Sequence, residues 1–134
     1  MNKKEDKDDE FVMYVLVNND LKMGKGKIAS QCMHSVCNAT RILERLNKRD
    51  NNYMKWIKNG EAKIVLKSTE IDMTSLIDTY EVDIRVKRDS SDIWCVHTRD
   101  AGKTQIAADS LTTIVFRPIL KTSTPNIIKK LQCL

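Results

Sequence analysis

Residues 21–31 read LKMGKGKIASQ and set three lysines, Lys22, Lys25 and Lys27, around two glycines, Gly24 and Gly26. The segment follows an apolar run and opens a long helical pattern, so its cations meet the positive end of a helix dipole, at a cost of about 0.3–1 kcal/mol each. Cations kept there suit an anionic ligand bound among them, with the glycines allowing close backbone approach. A solvated basic turn is the alternative that this segment alone leaves open. From Lys27 onward, projection at about 100° per residue gathers Lys27, Gln31, His34, Asn38, Arg41 and Arg45 within about 80°, opposite an apolar stripe. A solvated helix surface accounts for most of these; Lys27 and Gln31, nearest the glycine loop, are the stronger candidates. His34 alone says little about acid–base chemistry.

The second segment with chemical content is 99–107, RDAGKTQIA. It follows directly on a predicted strand, and loops at strand ends commonly hold the sites of α/β proteins. Its Gly102, Lys103 and Thr104 match the end of a Walker phosphate loop. That motif requires glycine where His97 stands, and it should open a helix, whereas 105–109 leads into another strand, so the match fails. Cys32, Cys37, Cys95 and Cys133 contain no CxxC pair, and the first two lie about 140° apart on a helix. Neither zinc ligation nor a redox motif is expected; free thiols in a reducing compartment are.

The elements that must position these segments are readable from periodicity. FVMYVLV at 11–17 is continuously apolar and β-rich, the pattern of a strand covered on both faces. Over Lys25–Leu46, Ile28, Cys32, Val36, Ala39, Leu43 and Leu46 step by three or four and predict one long helix. A short helix at 53–58 ends near Gly60, followed by a strand at 62–66, a helix at 71–80 and strands at 93–98 and 112–116. Ser123 or Thr124 caps a last helix, with Pro125 at its first position, running to the C-terminus. Strands alternating with helices imply a three-layer α/β domain around a four-stranded sheet, whose strand order does not follow from the pattern.

With 134 residues, 41% of them apolar, the chain fits a single domain. That domain is expected over 11–134, preceded by a disordered charged tail at 1–10. Lys plus Arg outnumber Asp plus Glu 23 to 18, although residues 2–10 alone hold three basic and five acidic side chains, so the excess sits in the body of the chain. Such a surplus favours a polyanion as partner. The charged N-terminus and the lack of an apolar run of roughly 20 residues predict no signal peptide and no membrane anchor, hence a cytoplasmic protein.

Taken together, the segments at 21–31 and 99–107 resemble the two signature segments of the second, archaeal and eukaryotic, family of peptidyl-tRNA hydrolases. The likeness extends to the apolar first strand, to NGEAKIVLK at 59–67 and to the final short helix. The resemblance implies a mixed four-stranded sheet flanked by helices and hydrolysis of the ester joining a peptide to tRNA, with no metal and no cofactor. It carries catalytic roles to Lys27, Asp100 and Thr104, and substrate or tRNA contacts to Lys22, Lys25, Gln31, His34, Lys103 and Gln105. A homodimer is left open, as is a domain of this fold that grips tRNA or a protein without turnover. The sequence departs from the family in three places. It carries an apparent insertion at 81–92, AADS at 107–110 in place of a proline–glycine turn, and Phe116, Arg117 and Pro118 where the last strand should end in glycines.

Ester hydrolysis passes through a tetrahedral oxyanion and needs an oriented water and a positive or hydrogen-bonding group where charge develops. Lys27 suits the second need. Asp100 could orient water, position Lys27 or act as base, the last only if its surroundings raise a pKa that is ordinarily near ~4. Thr104 could hold water or the ester through its hydroxyl; as a nucleophile it would need an adjacent base.

Overall fold

A computed structural model describes residues 10–46, 51–82, 93–102 and 106–134. Strand β1 (Phe11–Asn18) is buried at every position. Val12, Tyr14 and Leu16 face one core cluster and Phe11, Met13 and Val15 the other, which is the two-sided burial that an unbroken apolar run encodes. Strand β1 pairs in parallel with β2 (Lys63–Ser68), from Met13 opposite Lys63 to Asn18 opposite Ser68. On its other side it pairs antiparallel with β4 (Leu111–Phe116), which in turn pairs antiparallel with β3 (Cys95–Arg99). The order is therefore β2-β1-β4-β3, with a two-residue β5 (Ile119–Leu120) pairing with the start of β1. The sheet is mixed, and β5, only two residues long, is too short to show a periodic signal in the sequence.

Helices α1 (Lys25–Leu46) and α2 (Asn51–Lys58) join β1 to β2; α3 (Glu70–Tyr80) follows β2 and leads towards β3. The chain steps outward from β1 to β2 and then back across the sheet to β3, and right-handed crossovers put the two sets of helices on opposite faces. Accordingly Ala39, Leu43, Tyr53 and Trp56 close one cluster with Met13, Val15, Trp94 and Val115. Met73 and Leu76 close the other with Tyr14, Leu16, Ile114 and Phe116. The expected three layers are observed. Thr69 starts α3, its hydroxyl accepting from the Asp72 amide at 3.2 Å, with Glu70 and Asp72 favourable in the first turn.

The C-terminus departs from expectation. Helix α4 (Asn126–Lys129) is a single turn with Pro125 at its N-cap and no side-chain cap. The Thr124 hydroxyl instead donates to the Lys121 carbonyl at 2.9 Å and meets the Tyr14 hydroxyl at 2.9 Å. Beyond α4 the chain extends beside β2, where the Lys67 amide donates to Gln132 O at 2.8 Å and the Leu134 amide to Val65 O at 3.0 Å. Backbone bonds to an otherwise open sheet edge outweigh another helical turn. The expected tail, apart from Glu10, lies outside the described residues, as do 83–92 of the expected insertion and Lys103, Thr104 and Gln105. Among the described residues no helix is long and apolar enough to cross a membrane.

Candidate active site

Residues four apart on a helix drift by about 40° per step, so a row at that spacing crosses the helix obliquely and packs as a ridge. On α1 that ridge is Lys27, Gln31, Ser35, Ala39 and Leu43. Its later half is core, with Ala39 and Leu43 buried, and its first half lies over the ends of β3 and β4. Lys27 and Gln31 thus turn inward, correcting the expectation that they share an outward polar face with Arg41 and Arg45. Those arginines and His34 are exposed, and Arg41 donates to Asn38 Oδ1 at 3.0 Å.

Each polar member of the ridge meets a polar partner. The Lys27 ammonium donates to Asp100 Oδ1, with both side chains almost withdrawn from solvent, at 10% and 2% exposure. Asp100 stands just past the end of β3, and its Oδ2 accepts from the Gly102 amide at 2.7 Å. Two backbone bonds close the neck of the loop that begins here, from the Asp100 amide to Ser110 O at 2.9 Å and from the Asp109 amide to Asp100 O at 2.8 Å. Gly102 is obligatory, because its φ is +77° and a Cβ there would collide with Ala108. The hydrogen bond from Lys27 foremost, with a contribution from the Gly102 amide, holds the Asp100 carboxyl below the usual carboxylate range although burial opposes it. Asp100 is therefore a fixed anion at neutral pH, and the raised pKa that a general base requires is not what its surroundings produce.

The next two rungs depend on a fault in the sheet. Thr98 stands opposite Thr113, but Arg99 stands opposite Leu111, so a bulge leaves Thr112 as an extra residue. Alternation would send Thr112 and Thr113 to opposite faces; with the bulge both reach α1. The Thr112 hydroxyl lies 2.6 Å from Gln31 Oε1 and 3.1 Å from Thr98 O, two acceptors for its one proton. One turn deeper, the Ser35 hydroxyl meets both Thr98 Oγ1, at 2.8 Å, and Thr113 Oγ1. Ser35, Thr98, Thr112 and Thr113, all buried, were not among the sequence candidates. Two adjacent threonines opening an apolar strand were the available signal.

The remaining candidates lie around this centre. Lys22 and Lys25 are exposed, and Lys22 adopts a left-handed φ of 50° where it closes the turn Asn19–Leu21. His97 lies on the opposite face, its Nδ1 2.8 Å from Glu81 Oε1. The four cysteines are free, and burial, with a smaller effect from Glu81, pushes the Cys95 thiol up to about 12. Among the described residues no three His, Cys, Asp or Glu side chains converge as metal ligands.

The family model of peptidyl-tRNA hydrolase PTH2 matches residues 11–134. The chain belongs to this family. It is 36% identical over 127 residues to the peptidyl-tRNA hydrolase of Sulfolobus acidocaldarius, covering 91% of this chain and 98% of that one. Over 121 residues it is 31% identical to the peptidyl-tRNA hydrolase of Methanococcus vannielii, covering 90% and 96%. Bovine mitochondrial peptidyl-tRNA hydrolase 2 is 32% identical over 109 residues, which is 81% of this chain but 56% of that longer one. The Lys27–Asp100 contact joins segments 21–31 and 99–107, so folding brings together two residues that the sequence separates by 73 positions.

Proposed function

We propose that this PTH2 chain hydrolyses the ester between tRNA and a peptide or N-blocked aminoacyl group, returning tRNA to translation in the cytoplasm. The observation that carries the reading is the buried Lys27–Asp100 pair at the carboxyl ends of the strands, where open α/β sheets bind ligands. Water adds to the ester carbonyl carbon, negative charge develops on the former carbonyl oxygen, and collapse breaks the bond to the ribose oxygen, which leaves protonated. Lys27 supplies positive charge for that oxyanion. Asp100, a poor base while its pKa is held down, fixes the direction of the lysine. Thr104 is assigned to hold the water or the ester.

Lys22 and Lys25, both exposed beside Lys27, are assigned to the tRNA phosphates, with Gln31, His34, Lys103 and Gln105 as further contacts. The test is multiple-turnover release of peptide from peptidyl-tRNA in a strong chelator, since the charge invoked belongs to a lysine. Sustained release is expected. Tight tRNA binding with no turnover would make the domain a binder, and activity lost on chelation and restored by zinc would move the charge to a metal.

A further inference from the structure

We infer that the buried hydroxyl cluster of Ser35, Thr98 and Thr113 is a positioning device for the reaction, fixing how far α1 stands along β3 and β4 so that Lys27 meets Asp100. None of the three can touch substrate through the packed layer around them, each being at most 4% exposed. Their connection to the site is geometric. Ser35 is two turns along the same ridge as Lys27, and Thr98, near the end of β3, precedes Asp100 by two residues, both side chains meeting α1.

A helix resting on a sheet through apolar side chains alone has a shallow preference for any one placement, because dispersion contacts are many and non-directional. Hydroxyl bonds are directional and weaken steeply when bent or stretched. Ser35 stands between the two strands, 2.8 Å from Thr98 Oγ1 and bonded also to Thr113 Oγ1, so sliding or rolling α1 breaks at least one of two buried bonds. The same cluster guards the bulge. Thr98 and Thr113 are the last register pair before the fault, so tying both to α1 fixes where the extra residue falls, and with it the path of the chain into Asp100. Apolar residues of equal size at all three positions together would fill this space at little net change in stability, because hydrogen bonds within the chain largely replace bonds to water. What the hydroxyls supply is placement.

The inference rests on the hydrolase reading, and its test separates the two. Thr113→Val and Ser35→Ala remove hydroxyls with little change in shape, and Thr113→Ser restores one. In the full chain, peptidyl-tRNA turnover should fall about ten- to a hundredfold in Thr113→Val and Ser35→Ala, as a displacement of catalytic groups by about 1 Å would cause, with KM nearly unchanged and the fall far larger than the folded fraction accounts for at the assay temperature. Thr113→Ser should recover most of the loss.

A second readout needs no catalysis: the titration of the Asp100 carboxyl followed by NMR. Among the described residues the charged groups about it are Lys27 on α1, Arg99 beside it on β3 and Asp109 at the loop neck. If the hydroxyls hold Lys27 on Asp100, the titration moves up towards the ordinary carboxylate range in Thr113→Val and returns in Thr113→Ser. A wild-type chain that releases no peptide, with this titration still shifting, would refute the hydrolase reading and leave the positioning intact. Unchanged titration and turnover in folded Thr113→Val and Ser35→Ala would overturn the positioning. So would losses of turnover that track losses of stability and are not recovered by Thr113→Ser, which would make the cluster ordinary packing.

Discussion

Lys27 in the first turn of α1 donates to Asp100 just past β3, and the Gly102 amide holds the second oxygen of the same carboxylate. The two segments meet although β1 and β3 are not adjacent, because the strand between them, β4, runs antiparallel to both. The carboxyl ends of β1 and β3 therefore lie at one edge, α1 begins there, and the pair spans the width of β4.

That arrangement fixes a pH dependence. The Asp100 pKa is lowered on folding, so its charged form stabilises the folded chain above the unfolded value of ~4, and the contribution is lost as pH falls below that. The stability difference between wild type and Asp100→Asn, from thermal unfolding, should be flat from neutral pH to about pH 5 and shrink in more acid solution. A difference that grows on acidification would mean a raised pKa, and would return Asp100 to the role of base.

Periodicity made β1, α1 and α3 legible, since apolar steps of one, three or four residues report burial directly. The pairing of Lys27 with Asp100 was reachable only through the two signature segments together, because alternating elements do not reveal that β4 lies between β1 and β3. The bulge was hidden, as Leu111, Thr112 and Thr113 read like any strand entry and which residue is extra depends on partners in β3 and α1. Ser35 falls at the border of the apolar stripe, where a small hydroxyl carries no periodic signal. The last turns misled for a different reason: Ile127, Ile128 and Leu131 fit a helix, while the open edge of β2 that captures the chain is a tertiary feature.

Gly102→Ala isolates the loop from the ion pair. A φ of +77° costs a residue with a Cβ about 1–2 kcal/mol, and the collision with Ala108 adds to this. The expected outcome is a many-fold loss of turnover with tRNA affinity retained, because the amide that holds Asp100 Oδ2 moves while Lys22 and Lys25 do not. Equal losses of turnover and binding would indicate that the loop carries the tRNA instead.

Salt dependence reports the tRNA footprint. Affinity should fall steeply as salt rises, and Lys22→Ala or Lys25→Ala should flatten the logarithmic slope by about one unit for each lysine–phosphate pairing removed. Slopes equal to wild type in both would shift the footprint along α1 to Arg41 and Arg45, which are exposed at its far end.

The interdependence of Lys27 and Asp100 is tested by a double mutant. Lys27→Ala and Asp100→Ala should each lower turnover far more than tRNA affinity, which is the behaviour of groups acting at the transition state. Lys27→Ala should also be the less stable single variant, because it leaves a carboxylate of 2% exposure without its counterion, whereas Asp100→Ala leaves a flexible lysine that can turn towards solvent. If Asp100 acts by directing Lys27, either single change disables the shared arrangement, and the double variant should turn over little more slowly than the worse single one. Independent contributions would instead multiply, each mutation reducing the rate by its own factor whether or not the other is present. A folded Asp100→Ala variant with near wild-type turnover would show that Lys27 needs no partner to find the oxyanion, and the site would have to be redrawn around the lysine alone.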